Sequence, residues 1–540
     1  MKHYLTILMI ILFATLSKAQ DKNSYPEQWK KVEQLENEGL TASALDVVTQ
    51  IHEQALNDNN SPQRIKSLIY LSRYALTLEE NAQLSIVTDF KAEIERSDLV
   101  TRHLLENLLA TMYWQYFQQN RYKFYNRTKT AEKVDDDFRT WDLETLFNEI
   151  NTYYKRSLEN GLLLQQEKLE DYSDLLISIE GSKEFRPTLF DLLSHNALTF
   201  YKTDENSITK PAYQFTIDNE TFLSDGDQFM NLNIASKDSS SLQLQALKIY
   251  QNLLKLHHRD KAEAYVAVNI ERLNYIKSKA VIADKDNLFV KTLQDEADNI
   301  SSSPLSGLYL HQIARSYRLQ GTFYGQLKPD DTYRWKLKKA IEICESVIEK
   351  FPESEGAKRC EVLMQQISRP NLQLQTEQFI PVQKPSRILV KYSNLDSMTM
   401  TLYKVSKNDI TSFSRLFKPN EKLAFLKKLD PFDTWINPLK NEGDYQSHTT
   451  ELIIPKLDNG QYIMLSSIKN DENTFATAIV QVTDFALIEH TEDHQVTYQV
   501  IDRNNGQPLE NINIELTYNL NGTKGKKSKT FKTDAYGRFV

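Results

Sequence analysis

The spacing of apolar residues changes once along this chain of 540 residues, and that change constrains the fold more than any other feature. Before Pro370, apolar side chains recur every three or four positions, as at Leu45 and Val48, which is the spacing of helices that bury one face. After Pro370 they alternate with polar neighbours, as at Ile388 and Val390, which is the spacing of half-buried strands. We therefore predict a multidomain protein in which an all-α helical array is followed by antiparallel β-sandwich domains.

Chain length and connecting segments predict the domain boundaries. At about 150 residues per domain, a chain of this length contains three or four domains. A polar segment at 203–241 interrupts the helical pattern, although two stretches within it, 213–217 and 229–234, have strand-like spacing. We predict a signal peptide at 1–19, an N-terminal helical domain at 20–202, an irregular connection at 203–241, a second helical region at 242–370, a first sandwich at 371–483 and the start of a second sandwich at 484–540.

The first residues have the pattern of an export signal. Lys2 precedes an apolar run at 5–16, and Ser17 and Ala19 form the small-x-small pattern of a cleavage site. A run of about 12 apolar residues is too short for a hydrocarbon core that needs roughly 20, and no later segment is longer and equally apolar. We expect cleavage near Ala19 and a mature chain without a membrane span, in the periplasm, the cell envelope or the extracellular space.

One stretch of the second helical region, 337–367, has the pattern of a helical hairpin. Ala340, Cys344 and Val347 lie on one helix face, and Pro352 follows where that helix must end. A small residue followed by larger apolar ones at this spacing resembles the second helix of tetratricopeptide-type repeats. A repeat solenoid and an irregular helical array both agree with this pattern.

The two cysteines of the chain, Cys344 and Cys360, lie at equal distances from the predicted turn at Pro352. Antiparallel helices joined there would bring the two side chains to the same level. In an oxidising compartment such a pair forms a disulfide. We take the bond between Cys344 and Cys360 as a hypothesis, and two buried free thiols as its alternative.

Charge and motif content exclude several classes of function. The chain has 65 basic and 73 acidic residues, a formal net charge of −8, and so lacks the positive field with which proteins bind nucleic acids. No His-Glu-x-x-His, Gly-x-Ser-x-Gly or Walker motif occurs in the sequence. We therefore expect neither enzymatic activity nor a cofactor, a metal site or a nucleic-acid partner.

Four local clusters have both a functional and a structural interpretation, and we favour the structural one in each. The pair His257 and His258 fits a charge interaction at a helix C-terminus better than a metal site. The three aspartates at 135–137 lack the ligand spacing of a calcium loop. The aromatic stretch at 113–125 fits core packing better than a peptide or glycan groove, and the segment 522–528 fits a basic hairpin loop better than a phosphate loop.

The end of the chain resembles a known family. Two segments carry most of the likeness: Gly-Gln-Pro-Leu-Glu-Asn-Ile at 506–512 and Thr-Asp-Ala-Tyr-Gly-Arg-Phe at 533–539. Together with 454–462, 482–487 and 500–502, they are similar to the macroglobulin-like domain of bacterial alpha-2-macroglobulin proteins. The helical part is similar, at 29–32 and 185–191, to the N-terminal extension of the Bacteroidetes-type members. Only three strands are predicted after 484, too few to close a sandwich, so we expect the last domain to be truncated.

The resemblance implies a broad endopeptidase inhibitor that encloses an attacking protease. Proteases would then be partners of the full-length protein, and other envelope proteins would be candidate partners of the helical region. The family thioester motif, Cys-x-Glu-Gln, is not matched at Cys344 or Cys360, and no bait segment is identifiable. We expect the non-catalytic N-terminal part of such an inhibitor. The alternative is an envelope adhesin, or a glycan-binding or transport-associated scaffold.

Overall fold

The structure is a computed structural model, and it describes residues 24–80, 82–127, 136–176, 181–205, 213–238, 240–258, 262–325, 331–469, 471–492, 495–518 and 527–539. The predicted signal peptide at 1–19 lies outside these residues, as does most of the 522–528 loop. The chain divides into two compact units between Tyr309 and Leu310. The predicted domain boundaries at 202, 241, 370 and 483 stay predictions.

Helices form the first unit. They are α1 (Tyr25–Asn37), α2 (Thr41–Asn57), α3 (Ser61–Leu78), α4 (Ala82–Arg96), α5 (Leu99–Tyr125), α6 (Leu143–Ser157), α7 (Gly161–Gln166), α8 (Ser182–Phe185), α9 (Leu189–Tyr201), α10 (Gly226–Asn231), α11 (Leu242–His257), α12 (Ala262–Lys279) and α13 (Lys285–Asn299), and α14 (Ser306–Gly321) begins in this unit. Short 3₁₀ turns lie at Leu169–Leu175 and Glu220–Leu223. The predicted helical array at the start of the chain is confirmed.

Short polar side chains begin these helices, because they satisfy backbone N–H groups that lack a partner in the first turn. The carboxylate of Asp98 accepts a hydrogen bond from the Thr101 amide at 3.0 Å at the start of α5. At the start of α9, Thr188 and Asp191 form a reciprocal capping box. Gly39 follows α1 with a φ of 74°, the left-handed conformation that commonly ends helices.

The connection at 203–241 contains helical turns where strands were predicted. The stretch 229–234 begins inside α10, so its strand-like interpretation is wrong. The cause is local: Asp225 accepts a hydrogen bond from the Gln228 amide at 2.8 Å and starts a helix that the alternation of apolar residues does not reveal. The stretch 213–217 is irregular, and its Phe215 amide donates to Asp238 at 3.1 Å.

The aromatic stretch at 113–125 packs into the core of the first unit. Tyr113, Trp114 and Phe117 are nearly fully buried. The Trp114 ring meets Phe200 edge to face at 5.4 Å, and Phe117 meets Phe147 in the same way at 5.1 Å. The predicted core packing is therefore confirmed for these residues.

The second unit continues from α14 into α15 (Asp331–Arg334), α16 (Lys336–Lys350) and α17 (Glu355–Ser368). Helices α16 and α17 form the predicted hairpin. Ala340 and Val347 of α16 share an apolar cluster with Ala357 and Leu363 of α17. The side chain of Ser354 accepts a hydrogen bond from the Ala357 amide and starts α17.

Strands follow, as the alternating spacing predicts. They are β1 (Asn371–Thr376), β2 (Phe379–Ile380), β3 (Ser386–Ser393), β4 (Ser397–Val405), β5 (Asp433–Pro438), β6 (His448–Ile454), β7 (Gly460–Ile468), β8 (Asp471–Val482), β9 (Phe485–Glu492), β10 (Gln495–Asp502), β11 (Asn513–Tyr518), β12 (Lys527–Lys532) and β13 (Arg538–Phe539). Helices α18 (Lys407–Ser414) and α19 (Pro419–Leu426) lie between β4 and β5.

Strands β1 to β8 form two sheets that share one core. The sheet orders are β1-β3-β6 and β2-β8-β7-β4-β5. Val390 and Ile388 from the first sheet and Met400, Met464 and Val480 from the second belong to a single buried cluster. Two sheets packed on a common core are the arrangement of a β-sandwich.

Two details of this sandwich differ from the sequence prediction. The turn-forming sequence Asn-Leu-Asp-Ser at 394–397, between two runs of alternating apolar residues, predicts a β-hairpin, but β3 and β4 belong to different sheets. Asn394 has a φ of 57°, and its side-chain amide donates to the carbonyl oxygen of Ile367 at 2.8 Å, so the chain turns there from one sheet into the other. In addition, β2 pairs in parallel with β8, at Phe379 and Gln481, which makes the second sheet mixed and not purely antiparallel.

The last strands form two small sheets. One has the order β13-β10-β9, and the other is the β11–β12 pair. The predicted hairpin loop at 522–528 requires a strand on each side, and β11 and β12 pair antiparallel, from Asn513 with Lys532 to Tyr518 with Lys527.

Candidate functional site

The structure places both cysteines in the α16–α17 hairpin. Cys344 on α16 and Cys360 on α17 are fully buried in the same apolar cluster, and both are free thiols. A hydrogen bond with Cys360, together with burial, raises the pKa of the Cys344 thiol well above its ordinary value. The structure thus has the free-thiol form, and the disulfide stays a prediction.

The two adjacent histidines point to different partners. His257, the last residue of α11, lies with its Nε2 atom 2.6 Å from Oδ1 of Asp191 in the interior. His258, the next residue, is partly exposed, and its Nε2 atom lies 2.8 Å from Oδ1 of Asp227. Each histidine therefore has its own carboxylate, and the two do not converge on one position.

The acidic segment at 135–137 does not form a cation site with the residues that the structure describes. Asp135 lies outside those residues. Asp137 accepts a hydrogen bond from the guanidinium of its neighbour Arg139 at 2.7 Å. Across the described part of the chain, no group of three or more His, Cys, Asp or Glu side chains is arranged to hold a metal ion.

A pocket of about 380 Å³ in the first unit is large enough for a small ligand, and no motif in the sequence predicts it. Its walls come from α10 to α14 and the segments between them, so they are assembled from separate parts of the chain. Three carboxylates line it: Asp225, Asp227 and Glu296. The volume lies within the range of about 300–1,000 Å³ that is usual for ligand sites.

Glu296 is the most deeply placed of the three carboxylates, at 7% exposure. Its Oε1 atom accepts hydrogen bonds from the Gly226 amide and the Asn269 side chain, both at 2.7 Å. Both donors bind Oε1, so Oε2 receives no hydrogen bond from the described residues. Burial raises the pKa of Glu296 above its ordinary value, and the negative charge of Asp225 adds to that rise.

A fully buried arginine, Arg272, lies next to the residues that line the pocket. The guanidinium of Arg272 donates to Asn269 Oδ1 and to the carbonyl oxygens of Phe222 and Ser224, at 2.6 to 3.1 Å. All of these acceptors are neutral. Burial lowers the pKa of Arg272 to about 10, although the charge of Glu296 acts in the opposite direction. The arginine therefore orients the pocket wall through Asn269 without forming an ion pair with Glu296.

Two tyrosines complete the polar part of the pocket. Tyr309 accepts a hydrogen bond from Asn269 at 3.0 Å, and Tyr265 donates to Asp227 at 3.4 Å. Burial, with the nearby charge of Glu296, raises the pKa of both phenols well above the ordinary value, so both stay protonated. The polar lining thus combines three carboxylates with these two neutral phenols, and His258, Asn299 and Ser303 complete it.

The sequence has one unusual feature at this pocket, although it predicts no site by itself. The acids Asp225 and Asp227 flank Gly226 in a segment that was interpreted as an irregular connection. Glu296 and Tyr309, in contrast, follow the ordinary helical pattern, and nothing in that pattern distinguishes them from other helix residues. Only the packing of α10 against α12 and α13 brings these side chains together.

Comparison with known proteins assigns no family to the chain. No protein-family model matches the sequence, and no curated protein matches it. Among the residues covered by the structure, no helix is both long enough and apolar enough to cross a bilayer.

Three solved structures are similar to parts of this chain. A fragment of Escherichia coli alpha-2-macroglobulin spanning domains MG0-NIE-MG1 is 13% identical over 32% of this chain, which covers 56% of that fragment, with a TM-score of 0.25. A shorter fragment, NIE-MG1, is 13% identical over 32% of this chain and is covered to 86%, with a TM-score of 0.24. The CARDB domain of a Pyrococcus furiosus protein, solved with di-metal ions, is 13% identical over 21% of this chain and is covered to 87%, with a TM-score of 0.13.

Proposed function

We propose that this chain is the non-catalytic N-terminal part of an exported alpha-2-macroglobulin-like endopeptidase inhibitor. In this proposal the helical region serves as a docking or spacer part ahead of macroglobulin-like β-sandwiches. The thioester and the bait segment of the inhibitor would lie outside this chain. Target proteases would contact the full-length protein, and other envelope proteins would contact the helical region.

The observation that carries the proposal is that the two segments similar to macroglobulin-like domains, 506–512 and 533–539, both form hydrogen bonds with strand β10. The Val500 amide in β10 donates to the Gly537 carbonyl oxygen at 2.7 Å, and its carbonyl oxygen accepts from the Leu509 amide at 3.0 Å. Thr533 also donates through its hydroxyl to the Leu509 carbonyl oxygen at 2.7 Å. The residues that carry the resemblance thus form one structural unit, which supports a common fold for them.

The connection between the first sandwich and the following strands is also well fixed. The Val382 amide donates to the carboxylate of Asp484 at 3.0 Å, and the Arg503 amide donates to the Asp484 carbonyl oxygen at 2.7 Å. The guanidinium of Arg503 reaches back to the Phe379 carbonyl oxygen at 2.6 Å. Successive β domains held by such contacts suit a protein built from a row of sandwiches.

The experiment uses the full-length exported protein and an active endopeptidase such as trypsin. We expect cleavage to make the protein more compact in small-angle scattering and to retain the protease during size-exclusion chromatography. The control is the same protease inactivated at its nucleophile, which should neither compact the protein nor elute with it.

Active protease that leaves compactness unchanged and elutes separately would overturn the inhibitor proposal. Selective retention on immobilised glycans, with no retention of protease, would instead support the adhesin or glycan-binding alternative.

A further inference from the structure

We propose that the pocket between α10 and α14 binds a protonated amine or guanidinium group carried on an alkyl chain, as found on lysine, arginine and free alkylamines. This inference goes beyond the proposed function and does not depend on it. The charged group would lie between Asp225 and Glu296, and the alkyl chain would lie along the apolar side of the pocket.

The unused hydrogen-bonding capacity of Glu296 supports a cationic ligand. The Oε2 atom receives no hydrogen bond from the described residues, although the side chain is more than nine-tenths buried and lines the pocket. Oε2 is not among the fully buried polar atoms that lack a partner, so it keeps contact with the open space of the pocket that Glu296 lines. An ammonium or guanidinium group supplies the missing donor together with the opposite charge.

The other carboxylates around the pocket also favour a cation, whereas the positive charge of Arg272 opposes one. His258 lines the pocket too, and its Nε2 atom is paired with Asp227. Asp225 adds a second carboxylate to the lining, and Arg272 lies behind the wall with its donors occupied by Asn269 and backbone oxygens. Asn299, the last residue of α13, lines the pocket, and the last turn of that helix has no basic residue. The C-terminal end of a helix carries a partial negative charge, so it adds to the attraction.

The apolar part of the lining suits the alkyl chain. Val266 of α12, Ile300 after α13 and Leu305 before α14 line the same cavity as the carboxylates. The aromatic rings of Tyr265 and Tyr309 lie beside them, and such rings attract cations through their faces. A hydrated metal ion would gain nothing from these apolar walls, whereas a cation on an alkyl chain uses both parts of the pocket.

The first test compares ligands of equal length on the 540-residue chain by isothermal titration calorimetry and ligand-observed NMR. We expect n-pentylamine to bind at least about tenfold more tightly than 1-pentanol, because charged hydrogen bonds contribute at least that much. Pentanoate should not bind. Equal affinities for the amine and the alcohol would overturn the proposal.

A second comparison shows whether the bound amine belongs to a lysine side chain of a protein or to a free small molecule. A blocked Gly-Lys-Gly peptide that binds as tightly as pentylamine indicates a lysine side chain of another protein. Binding of free amines alone indicates a small molecule.

Two variants locate the site. Glu296→Gln keeps an acceptor for Gly226 and Asn269 but removes the charge, and it should reduce the affinity for pentylamine about tenfold or more. Asp225→Asn should act in the same direction while α10 stays capped, because asparagine caps helices as well as aspartate does. The matched control is Asp295→Asn, which removes an exposed carboxylate from the same helix as Glu296.

The control variant should bind pentylamine as the unchanged protein does. If Asp295→Asn weakens binding as much as the two pocket variants, the attraction comes from general surface charge and the proposed site is wrong. If Glu296→Gln does not fold, the comparison of Asp225→Asn with Asp295→Asn decides the question alone.

Discussion

The Nε2 atom of His257 lies 2.6 Å from Oδ1 of Asp191, and both side chains are almost completely excluded from water. The second carboxylate oxygen of Asp191 accepts hydrogen bonds from the Thr188 amide and hydroxyl. One side chain thus joins the start of α9 to the end of α11. This relationship gives the first prediction.

Asp191→Ala should destabilise the helical unit by about 3 kcal/mol, because it removes a cap and leaves buried donors without an acceptor. Asp227→Ala is the matched control, since Asp227 forms a similar pair with His258 at 2.8 Å but on the surface. That pair should contribute about 1 kcal/mol or less. Urea unfolding followed by circular dichroism measures both changes, and equal losses would contradict the role of burial.

The second prediction concerns the thiols of Cys344 and Cys360. Both are buried, and the pKa of Cys344 is raised, so the reactive thiolate is scarce in the folded protein. Reduced folded protein should react with a maleimide only slowly, and denaturation should release two reactive thiols. Protein isolated from an oxidising compartment should release none if the disulfide forms there. Mass spectrometry of the labelled protein distinguishes these results.

Two glycines in the last β segment provide the third prediction. Gly537 and Gly506 both have positive φ, at 71° and 73°, but a Cβ atom at Gly537 would lie 2.4 Å from the carbonyl oxygen of Val500, whereas Gly506 faces open space. Gly506→Ala should cost about 1 to 2 kcal/mol, the ordinary penalty of the left-handed conformation. Gly537→Ala should cost more and displace β13.

Amide hydrogen exchange of β10 measures this difference. Faster exchange at Val500 in Gly537→Ala than in Gly506→Ala would confirm the steric explanation. Equal exchange protection of the Val500 amide in the two variants would show that the loss of stability comes from the left-handed backbone conformation alone.

The fourth prediction is a loss of stability in acid that depends on Asp444. Burial opposes ionisation of this carboxyl, but hydrogen bonds from His448 and Arg334 outweigh burial and hold the pKa of Asp444 below its ordinary value. The folded protein therefore releases this proton more readily than the unfolded chain does. The resulting stabilisation is complete above the ordinary aspartate pKa of about 4 and is lost as the pH falls through the lower folded value.

Asp444→Asn should therefore lower the thermal midpoint at pH 7 and make it depend less on pH below about 4. Asp430→Asn, at an exposed position of the same unit, is the control and should keep the acid dependence. If the thermal midpoints of the unchanged protein and of Asp444→Asn fall equally as the pH drops below about 4, the acid sensitivity does not come from Asp444.

The sequence predicts the local elements of this fold well, because their signals are local. Helices such as α5 begin at a polar cap, and strands such as β3 alternate between core and solvent. The choice of strand partners depends on contacts between distant residues, and Asn394 illustrates this: a four-residue turn predicts a hairpin, yet the flanking strands pair elsewhere. The parallel pairing of β2 with β8 has no local signal either.

The candidate pocket was not predictable for the same reason. Glu296 has the pattern of an ordinary amphipathic helix residue, and its unusual environment results from the Gly226 amide and the Asn269 side chain, which lie 70 and 27 positions away. The positions of Cys344 and Cys360 on two paired helices are predictable from the sequence, because a helical hairpin is a local structure with a clear turn.

The turn at Asn394 also affects how the first sandwich can fold. Since β3 and β4 enter different sheets, each sheet must recruit strands from both halves of 371–482: β3 pairs with β6, and β4 pairs with β7. The β3–β6 and β4–β7 pairings therefore require the closure of loops of several tens of residues, which slows folding. In a chain still emerging from a ribosome or a translocation channel, the β1-β3-β6 sheet can be complete once β6 is free, but the second sheet still lacks β7 and β8. The core that the two sheets share is therefore expected to close only after β8 is free.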